Sequence, residues 1–430
     1  MSKNKLLVFC LDALCTMDIE FMKTLPAFAE IINRGSYVKH IEPIYPSLTY
    51  PCHVSIITGN YADKHGIIHN EIVTPGKLNS PWYNQRSDVH SKTLLDYGKE
   101  NGYTTCSISW PVSGGADYDF NMPMIVPYGY IGPDPGQFFV NNATQNLLDT
   151  YYWKYGRYLM GKDRSLDLYT MALAPDIIRD FGQPDIMLIK MCDLDSARHA
   201  YGVDNENVRE QLRKHNYELA VILDTVKRYG DYDNTNFVIL GDHGQSDVDH
   251  VLHFNVALKE AGFIRVNENN ELVDYDAYCH SAALSAWIEL KNPEDEEMRK
   301  KVYDFLMECK NERDYGLGYV FTKEEVKEKY HLEGPFDFVI EGEKAISFGN
   351  RLDCDIFGKT EIGDYKTSKA SHGGLPFKDE TTTFIACGPS VKQGVVVERC
   401  SMVNEAPTMA KMLGFEMPDV DGVVIEEILK

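Results

Sequence analysis

The sequence predicts an α/β fold: a mainly parallel sheet with helices on both faces, plus a small inserted α+β subdomain. Short apolar runs that read as buried strands alternate with helical stretches through most of the chain, which favours parallel strands joined by helices. Several of these runs end directly in polar residues, at the strand ends where open α/β sheets bind ligands. The alternation is interrupted near residue 264, which indicates the insert.

The first 240 residues supply most of the predicted sheet. LLVFCL is the first strand, followed by a helix over residues 18–33 that ends at Gly35, the strand YVKHI and a loop through PIYPSLTYP. We expect the next helix to begin at Cys52 or His53 and to end near Gly59. SKTLLDYGKEN is predicted to be helical and TTCSISW to be a strand. Helices over LDLYTMALAPDIIRDF and residues 205–229 precede the strands DIMLIKM and NFVIL.

Two regions depart from this alternation. Residues 112–165, rich in Gly, Pro and Tyr, are predicted to be a long loop region over the site. Residues 264–350 are predicted to form the inserted subdomain, and residues 1–263 and 351–430 the core. In the insert, SAALSAWIEL reads as a strand, EDEEMRKKVYDFLMEC as a helix, and FDFVIEG with KAISFG as a hairpin-like pair. TTTFIACG and NEAPTMAKMLG then return a strand and a helix to the core.

Composition limits the partners. A chain of 430 residues with a net charge of −22 disfavours a nucleic-acid polymer or an anionic membrane as the main partner. A small phosphate ester stays possible because bound metal ions reverse the local field. The first apolar run is too short for a signal segment, and no run is long enough to cross a bilayer. The ten cysteines form no CxxC pair, so we expect a reducing cytoplasm. The oligomeric state stays open.

The candidate chemistry lies in polar residues that follow the predicted strands. Asp12 ends the first strand and would be a metal ligand, a helix cap or both. Asp195 and His199 are four residues apart, so on a helical turn they point the same way and can share one metal. Asp242 and His243 are adjacent between glycines that permit a sharp turn. Each motif alone also fits a cap, an Asx-turn or an incidental histidine, and His372 in SHGG is by itself a loop histidine.

Thr49 is the candidate nucleophile. It precedes the predicted start of a helix, where a threonine is most often an N-cap. The two roles are compatible, because a hydroxyl at a helix N-terminus lies in a positive field. A metal beside it would lower its pKa further.

The order of these motifs, D, T-x-P-x-H, D-x-x-x-H, D-H-G and S-H-G, resembles the alkaline phosphatase superfamily. Within it, PSLTYPCHVSIITGNYADKHGIIHNE is similar to the nucleophile block of the nucleotide pyrophosphatase/phosphodiesterase family. The resemblance implies a two-metal hydrolase of small phosphate diesters that works through a phosphothreonine. Thr49 would be the nucleophile, and Asn70 would hold the phosphoryl oxygen. One zinc, with manganese as the alternative metal, would bind Asp195, His199 and His372, and the other Asp12, Asp242, His243 and Thr49.

Departures from the family pattern leave the substrate open. Ala13, Leu48 and Cys52 stand where glycine, lysine and asparagine are usual. Cys52 does not indicate a sulfatase, because it follows the nucleophile position and lacks the C-x-P-x-R context. The alternatives are a phosphomonoesterase or phosphonate hydrolase on the same metals, a phosphomutase, and a non-catalytic binding protein. The nucleophile block contains no arginine, which favours diesters, although Arg157 or Arg164 from a distant segment could reach the site.

Aromatic residues are expected near the mouth of the site, where they could stack on a base or enclose a choline-like cation, although packing is the commoner role. They are Trp82, Tyr83, Tyr128, Tyr130, Tyr151, Tyr152 and Trp153. His280 in the insert either faces the cleft or is a histidine satisfied by a neighbour, and the second alternative is preferred.

Overall fold

The computed structural model describes residues 3–78, 80–126, 135–159, 164–378 and 380–430. The strands are β1 Lys5–Leu11, β2 Ser36–Glu42, β3 Thr105–Ile108, β4 Phe120–Met122, β5 Ile186–Met191, β6 Thr235–Leu240, β7 Ser246–Asp247, β8 His250–Leu252, β9 Ile264–Val266, β10 Leu272–Tyr275, β11 Ala277–Ala282, β12 Ser285–Leu290, β13 Leu317–Thr322, β14 Phe338–Gly342, β15 Ile346–Phe348, β16 Phe357–Gly358, β17 Ala370–Ser371, β18 Thr382–Cys387 and β19 Val396–Ser401. The helices are α1 Ile19–Met22, α2 Pro26–Arg34, α3 Thr49–Thr58, α4 Ala62–His65, α5 Leu94–Glu100, α6 Pro135–Asn142, α7 Gln145–Tyr155, α8 Leu166–Phe181, α9 Asp193–Tyr201, α10 Glu206–Tyr229, α11 Phe254–Glu260, α12 Glu296–Asn311, α13 Lys323–Tyr330 and α14 Glu405–Leu413.

The core is an eight-stranded sheet in the order β19-β2-β18-β6-β1-β5-β3-β4. Its pairs are parallel except that β18 runs antiparallel to both β2 and β6. This confirms the predicted mainly parallel α/β sheet. Strand β1 lies between β5 and β6, and all three run in the same direction. Their carboxyl ends therefore meet at one edge of the sheet.

Both faces of this sheet are covered by helices, as the near-continuous apolar strands predict. Alternate residues of β1 enter opposite hydrophobic clusters: Leu6 and Val8 pack into one, Leu7 and Phe9 into the other. The first cluster is completed by α3, α5 and α14, and the second by α2, α8 and α10. In the described ranges, no helix is both long and apolar enough to cross a lipid bilayer.

The inserted region contains a four-stranded antiparallel sheet, β11-β12-β14-β13, with α12 and α13 beside it. Two details differ from the sequence prediction. SAALSAWIEL is not one strand, because the chain turns at Ala283 and Leu284 between β11 and β12. FDFVIEG and KAISFG do not form a hairpin, because β15 pairs with β8 instead. The insert's hydrophobic cluster also includes Phe254 and Leu258 from before residue 264, and the domain boundary stays a prediction.

Two other elements were predicted wrongly. The helix over residues 18–33 is interrupted, and α2 begins with Pro26 at its first position, where the missing N–H costs nothing. Residues 112–165 are not a plain loop, because their described part contains β4, α6 and α7. Turn-forming residues dominate the composition of this region and hide the short amphipathic segments between them.

Candidate active site

The predicted polar residues converge because they follow three neighbouring strands. Asp12 comes directly after β1, Asp195 and His199 lie on α9 after β5, and Asp242 with His243 follows β6. The flanking glycines are required by close packing after β6, and neither of them has a positive φ. A Cβ at Gly244 would collide with the backbone carbonyl of Glu380.

Thr49 is the first residue of α3, whereas the sequence placed the helix start at Cys52 or His53. Thr49 is therefore not an N-cap; that position belongs to Leu48, whose side chain caps nothing. Capping comes from a distant residue, because the Asn70 carboxamide oxygen accepts a hydrogen bond from the Tyr50 backbone N–H at 2.9 Å. The Thr49 hydroxyl lies at the positive end of the helix, 3.0 Å from His243 Nε2.

The three predicted histidine ligands are held with the same ring nitrogen turned inward. His243 Nδ1 lies 3.0 Å from the Gly244 carbonyl, and His199 Nδ1 lies 2.7 Å from the Ala370 carbonyl. His372 Nδ1 lies 3.0 Å from the Ser47 carbonyl. A carbonyl only accepts, so each Nδ1 donates. In the neutral tautomer this leaves the Nε2 lone pair to face the site, as in histidines that bind metals.

The inward-facing atoms have the spacing of a metal centre. Asp195 Oδ1 lies 3.2 Å from His199 Nε2 and 3.9 Å from His372 Nε2. His243 Nε2 lies 3.4 Å from Asp12 Oδ1 and 3.2 Å from Asp242 Oδ2. Ligand atoms around a tetrahedral zinc are about 3.3 Å apart. Among the described residues, no hydrogen bond of good geometry reaches Asp12 Oδ1, Asp242 Oδ2 or His199 Nε2.

Two overlapping groups of potential ligands result among the described residues. Asp195, His199 and His372 form one, and the ligand atoms of Asp12, Asp195 and His243 form a second, each within 4.8 Å. The first group is the predicted set. The second group contains Asp195, whereas the predicted set contained Asp242. The donor set of carboxylates and imidazoles fits a divalent metal such as zinc.

The electrostatics of the site favour a bound cation. Burial and the neighbouring Asp242 carboxylate raise the pKa of Asp12 well above its usual range. Burial acts in the same direction on Asp242, but His243 and His53 outweigh it and lower the pKa of Asp242. Burial and the stacked His243 ring, 3.7 Å away, hold the pKa of His372 well below its usual value. His372 is therefore neutral, the form that binds metals.

Lys190 is a residue of the site that the sequence reasoning missed. Its ammonium lies 2.6 Å from Asp12 Oδ2, and its side chain is 1% exposed. Burial alone would lower the pKa of Lys190, but the Asp12 carboxylate raises it, so the ammonium stays charged. The signal was present in DIMLIKM, because lysine is almost never fully buried unless it is paired.

His53 was noted in the T-x-P-x-H pattern but given no role. Its Nδ1 lies 2.8 Å from the Thr49 carbonyl and 3.1 Å from Asp242 Oδ2. The ring therefore ties the helix of Thr49 to a carboxylate after β6. His53 is fully buried, so it acts through these two neighbours.

The outer wall of the site contains a second buried ion pair. Lys366 pairs with Glu71, and the Tyr365 hydroxyl donates to the same Glu71 oxygen at 3.3 Å. The Tyr365 ring stacks on His372 at 5.8 Å. All three residues were missed, because nothing near them in the sequence marks the contact between segments nearly 300 residues apart.

These residues surround a cavity of about 570 Å³. Its outer part is mainly apolar, with Leu78, Trp82, Met124, Val126 and Ile362, although the paired Lys366 and Glu71 also line it. Its inner part is polar and contains Asp12, Thr49, Tyr50, Asn70, Lys190, Asp195, His199 and His372. An ester with one anionic centre and one apolar substituent fits this division.

The predicted aromatic mouth is only partly present. Trp82 lines the cavity and Tyr83 packs beside it. Tyr151 and Tyr152 instead pack into the hydrophobic cluster that contains Leu7 and Phe9. Trp153 is 89% exposed. Tyr128 and Tyr130 lie outside the described residues. Their contribution to the mouth stays a prediction.

Other candidates lie outside the cavity. Arg157 and Arg164 are exposed and do not line it. His280 is a buried histidine satisfied by Glu289 at 2.8 Å, as the preferred interpretation expected. Cys52 is fully buried, and burial raises the pKa of its thiol well above the usual value.

Comparisons with known proteins agree on one family. The family model described as type I phosphodiesterase / nucleotide pyrophosphatase matches residues 6–374. Ectonucleotide pyrophosphatase/phosphodiesterase family member 7 of Mus musculus is 22% identical over 414 residues, covering 92% of this chain and 80% of its own. Family member 1 of Homo sapiens is 25% identical over 279 residues, and the matched region covers 60% of this chain and 26% of the length of that protein.

Two further relatives bear on substrate and fold. A bis(5'-adenosyl)-triphosphatase of Pongo abelii is 21% identical over 410 residues, covering 91% of this chain and 74% of its own. Murine ectonucleotide pyrophosphatase / phosphodiesterase 5 superimposes with a TM-score of 0.69 at 17% identity, covering 99% of this chain and all of that one. A second structure of that murine protein, an inactive form, contains AMP, with a TM-score of 0.69 at 17% identity and full coverage of both chains.

Proposed function

The chain belongs to the type I phosphodiesterase / nucleotide pyrophosphatase family, and we propose from this premise that it hydrolyses small phosphate diesters and phosphoanhydrides with Thr49 as nucleophile. It is a metal-dependent hydrolase of phosphodiester and pyrophosphate bonds, as members of this family are. The observation that carries the assignment of Thr49 is its hydroxyl at the start of α3, 3.0 Å from His243 Nε2.

We propose that two divalent metal ions, zinc in the first instance and manganese as the alternative, are bound at the ends of β1, β5 and β6. Asp195, His199 and His372 would hold one. Asp12, Asp242 and His243, with Thr49, would hold the other. When bound, the ions would supply Lewis-acid stabilisation of the attacking and leaving oxygens. The inward Nε2 atoms, together with the Asp12 and Asp242 oxygens that receive no hydrogen bond of good geometry, support metal binding at this site.

The chain's own residues perform the rest of the reaction. The Thr49 hydroxyl loses its proton to solvent and Oγ1 forms a bond to phosphorus. The bond to the leaving oxygen breaks, and that oxygen takes up a proton from solvent. The Asn70 side-chain N–H donates to a non-bridging oxygen as charge develops there, because its carboxamide oxygen is already occupied by the Tyr50 N–H. Water then attacks the phosphothreonine ester from the vacated side and releases Oγ1.

The proposed substrate is a small molecule rather than a nucleic-acid polymer or a membrane, and nucleotide esters are the first class to test. The apolar outer part of the cavity, with Leu78, Trp82 and Ile362, suits a base or another apolar substituent. The triphosphatase relative and the AMP complex of the murine protein support the choice of nucleotides.

The covalent step is tested by mass spectrometry. The protein is mixed with a diester and quenched in acid, and its peptides are then analysed. We expect a mass increase equal to the transferred phosphoryl ester on the peptide that contains Thr49. Labelling of another residue, or turnover with no labelled peptide, would contradict the assignment.

We also propose a reducing, cytoplasmic compartment. All ten cysteines lie in described ranges as free thiols, and seven of them are buried. Alkylation of the protein unfolded directly from cells should modify all ten cysteines without prior reduction. Protection of a pair of them would overturn the proposal.

A further inference from the structure

The Lys190 ammonium in the cavity wall has only one strong hydrogen-bond acceptor for its three N–H donors. Its partners are Asp12 Oδ2 at 2.6 Å, Cys192 Sγ at 3.1 Å and Met124 Sδ at 3.6 Å. A lysine ammonium has three N–H donors, and sulfur is a weak acceptor. Two of its N–H bonds therefore face weak partners inside the protein, where unsatisfied donors are costly.

The Tyr50 hydroxyl is a second donor in the lining of the same cavity. Tyr50 lines the cavity, its side chain is fully buried, and no hydrogen-bond partner for its hydroxyl exists among the described residues. Its ring is held against the edge of Trp82, with centroids 5.0 Å apart. A tyrosine hydroxyl has one O–H that it can donate.

We propose that Lys190 and Tyr50 form a subsite for an additional anionic oxygen of the substrate. The proposal rests on the proposed function and specifies its substrate class. Two divalent ions would bring four positive charges against the three negative charges of Asp12, Asp195 and Asp242. Lys190 then raises the net charge around the metals from one positive charge to two, which matches a dianion, and the charges of the Lys366 and Glu71 pair on the outer wall cancel.

The additional oxygen has two possible sources with the same chemistry. It is either the second charged oxygen on the reacting phosphorus, as in a monoester, or an oxygen of an adjoining phosphate, as in a phosphoanhydride. A simple diester has neither. The nucleophile block contains Lys64 but places no lysine or arginine in the cavity lining. A strand about 140 residues later in the sequence supplies Lys190 instead, and Arg157 and Arg164 do not line the cavity.

The experiment compares three substrates on metal-loaded protein. Methyl 4-nitrophenyl phosphate carries one charge, 4-nitrophenyl phosphate carries a second on the same phosphorus, and a dinucleoside triphosphate carries it on an adjoining phosphate. The variants are Lys190→Met, Tyr50→Phe and, as a control, Lys378→Met. Lys378 is a mostly buried lysine paired with Glu341 at 3.0 Å, outside the cavity. Metal content and the affinity for inorganic phosphate are measured on every variant.

Lys190→Met should lower kcat/KM about 10-fold to 100-fold more on a doubly charged substrate than on the methyl diester, with metal content unchanged and phosphate affinity reduced. Tyr50→Phe should also lower kcat/KM more on a doubly charged substrate than on the methyl diester, but by a smaller factor. This variant keeps the test valid if Lys190→Met does not fold. Loss on the monoester alone or on the triphosphate alone identifies the source of the oxygen.

Equal losses on all three substrates, or unchanged phosphate affinity, would overturn the subsite, because Lys190 would then act only through Asp12. If the wild-type protein cleaves none of the three substrates, the proposed function fails. Phosphate binding still decides the subsite in that case.

Discussion

The carboxamide oxygen of Asn70 accepts the backbone N–H of Tyr50 at 2.9 Å, so one side chain caps the helix that begins with Thr49 and also lines the substrate cavity. The hydrogen bond fixes which way the carboxamide faces: its oxygen points to the helix, and its two N–H groups point away from it, with the Tyr365 hydroxyl as one neighbour. Stability and catalysis therefore depend on different atoms of the same residue, and substitutions can separate them.

Asn70→Asp and Asn70→Ala should separate these two roles. Both remove the N–H donor and should lower kcat/KM about 100-fold or more, the usual effect of losing one oxyanion donor. Only Asn70→Ala removes the cap, which costs about 1 kcal/mol, so the melting temperature should fall for Ala and be kept by Asp. Kinetics and thermal melts on the same preparations test this. An active Asn70→Asp would contradict the donor role.

Thr49→Ala should abolish nearly all turnover and leave the metals bound, because three protein ligands for each ion remain. Thr49→Ser should keep part of the activity, since the hydroxyl is retained. Metal analysis and kcat measured side by side distinguish a lost nucleophile from a lost metal site. A rate close to wild type for Thr49→Ala would rule out the covalent mechanism.

Chelation should abolish activity, and added zinc should restore it. The protein should also melt at a lower temperature after chelation, because bound ligand stabilises the folded state by mass action. His372→Ala should lower the metal content, whereas the exposed His250, outside the site, provides a control as His250→Ala. Full activity of thoroughly demetallated protein would exclude metal dependence.

Diesters should be cleaved with higher kcat/KM than the matching monoesters. Asn70 offers a neutral donor, and the apolar outer cavity can hold the second substituent of a diester. Lys190 should reduce the difference in kcat/KM between diesters and monoesters without reversing the preference for diesters. Paired kinetics with one leaving group decide the question, and a clear preference for the monoester would replace the diesterase assignment by a monoesterase on the same metals.

Glu405 predicts a pH effect on stability. Its carboxyl is fully buried with no hydrogen-bond partner among the described residues, and burial, reinforced by Asp242, raises its pKa well above the usual value. While the acid is protonated in both the folded and the unfolded state, its raised pKa adds no pH-dependent cost to folding. Stability is then lost as pH rises from the unfolded pKa, about 4.3, towards the folded pKa.

Glu405→Met should therefore stabilise the protein at pH 7.5 by about 1–3 kcal/mol, the cost of an unsatisfied buried group. Its advantage over wild type should shrink towards pH 4.5. Glu405→Gln is the matched control that keeps the shape and removes the titration. Denaturant melts across this range measure the difference. An advantage independent of pH would contradict the titration of Glu405.

The sequence alone determined the fold class and the set of polar residues at the strand ends. Buried parallel strands are long apolar runs, and their carboxyl ends share one edge of the sheet, so Asp12, Asp195 and Asp242 could be grouped without coordinates. Local patterns are sufficient here because the spacing of a strand or a helical turn is a property of neighbouring residues.

Only the tertiary structure decided how the site is completed. The cap of Asn70 on α3, the Lys190 ammonium beside Asp12 and the pairing of Lys366 with Glu71 all join segments far apart in sequence. No local pattern encodes which distant polar group meets another. Burial makes each such group need a partner, and the packing of the chain determines which partner it finds.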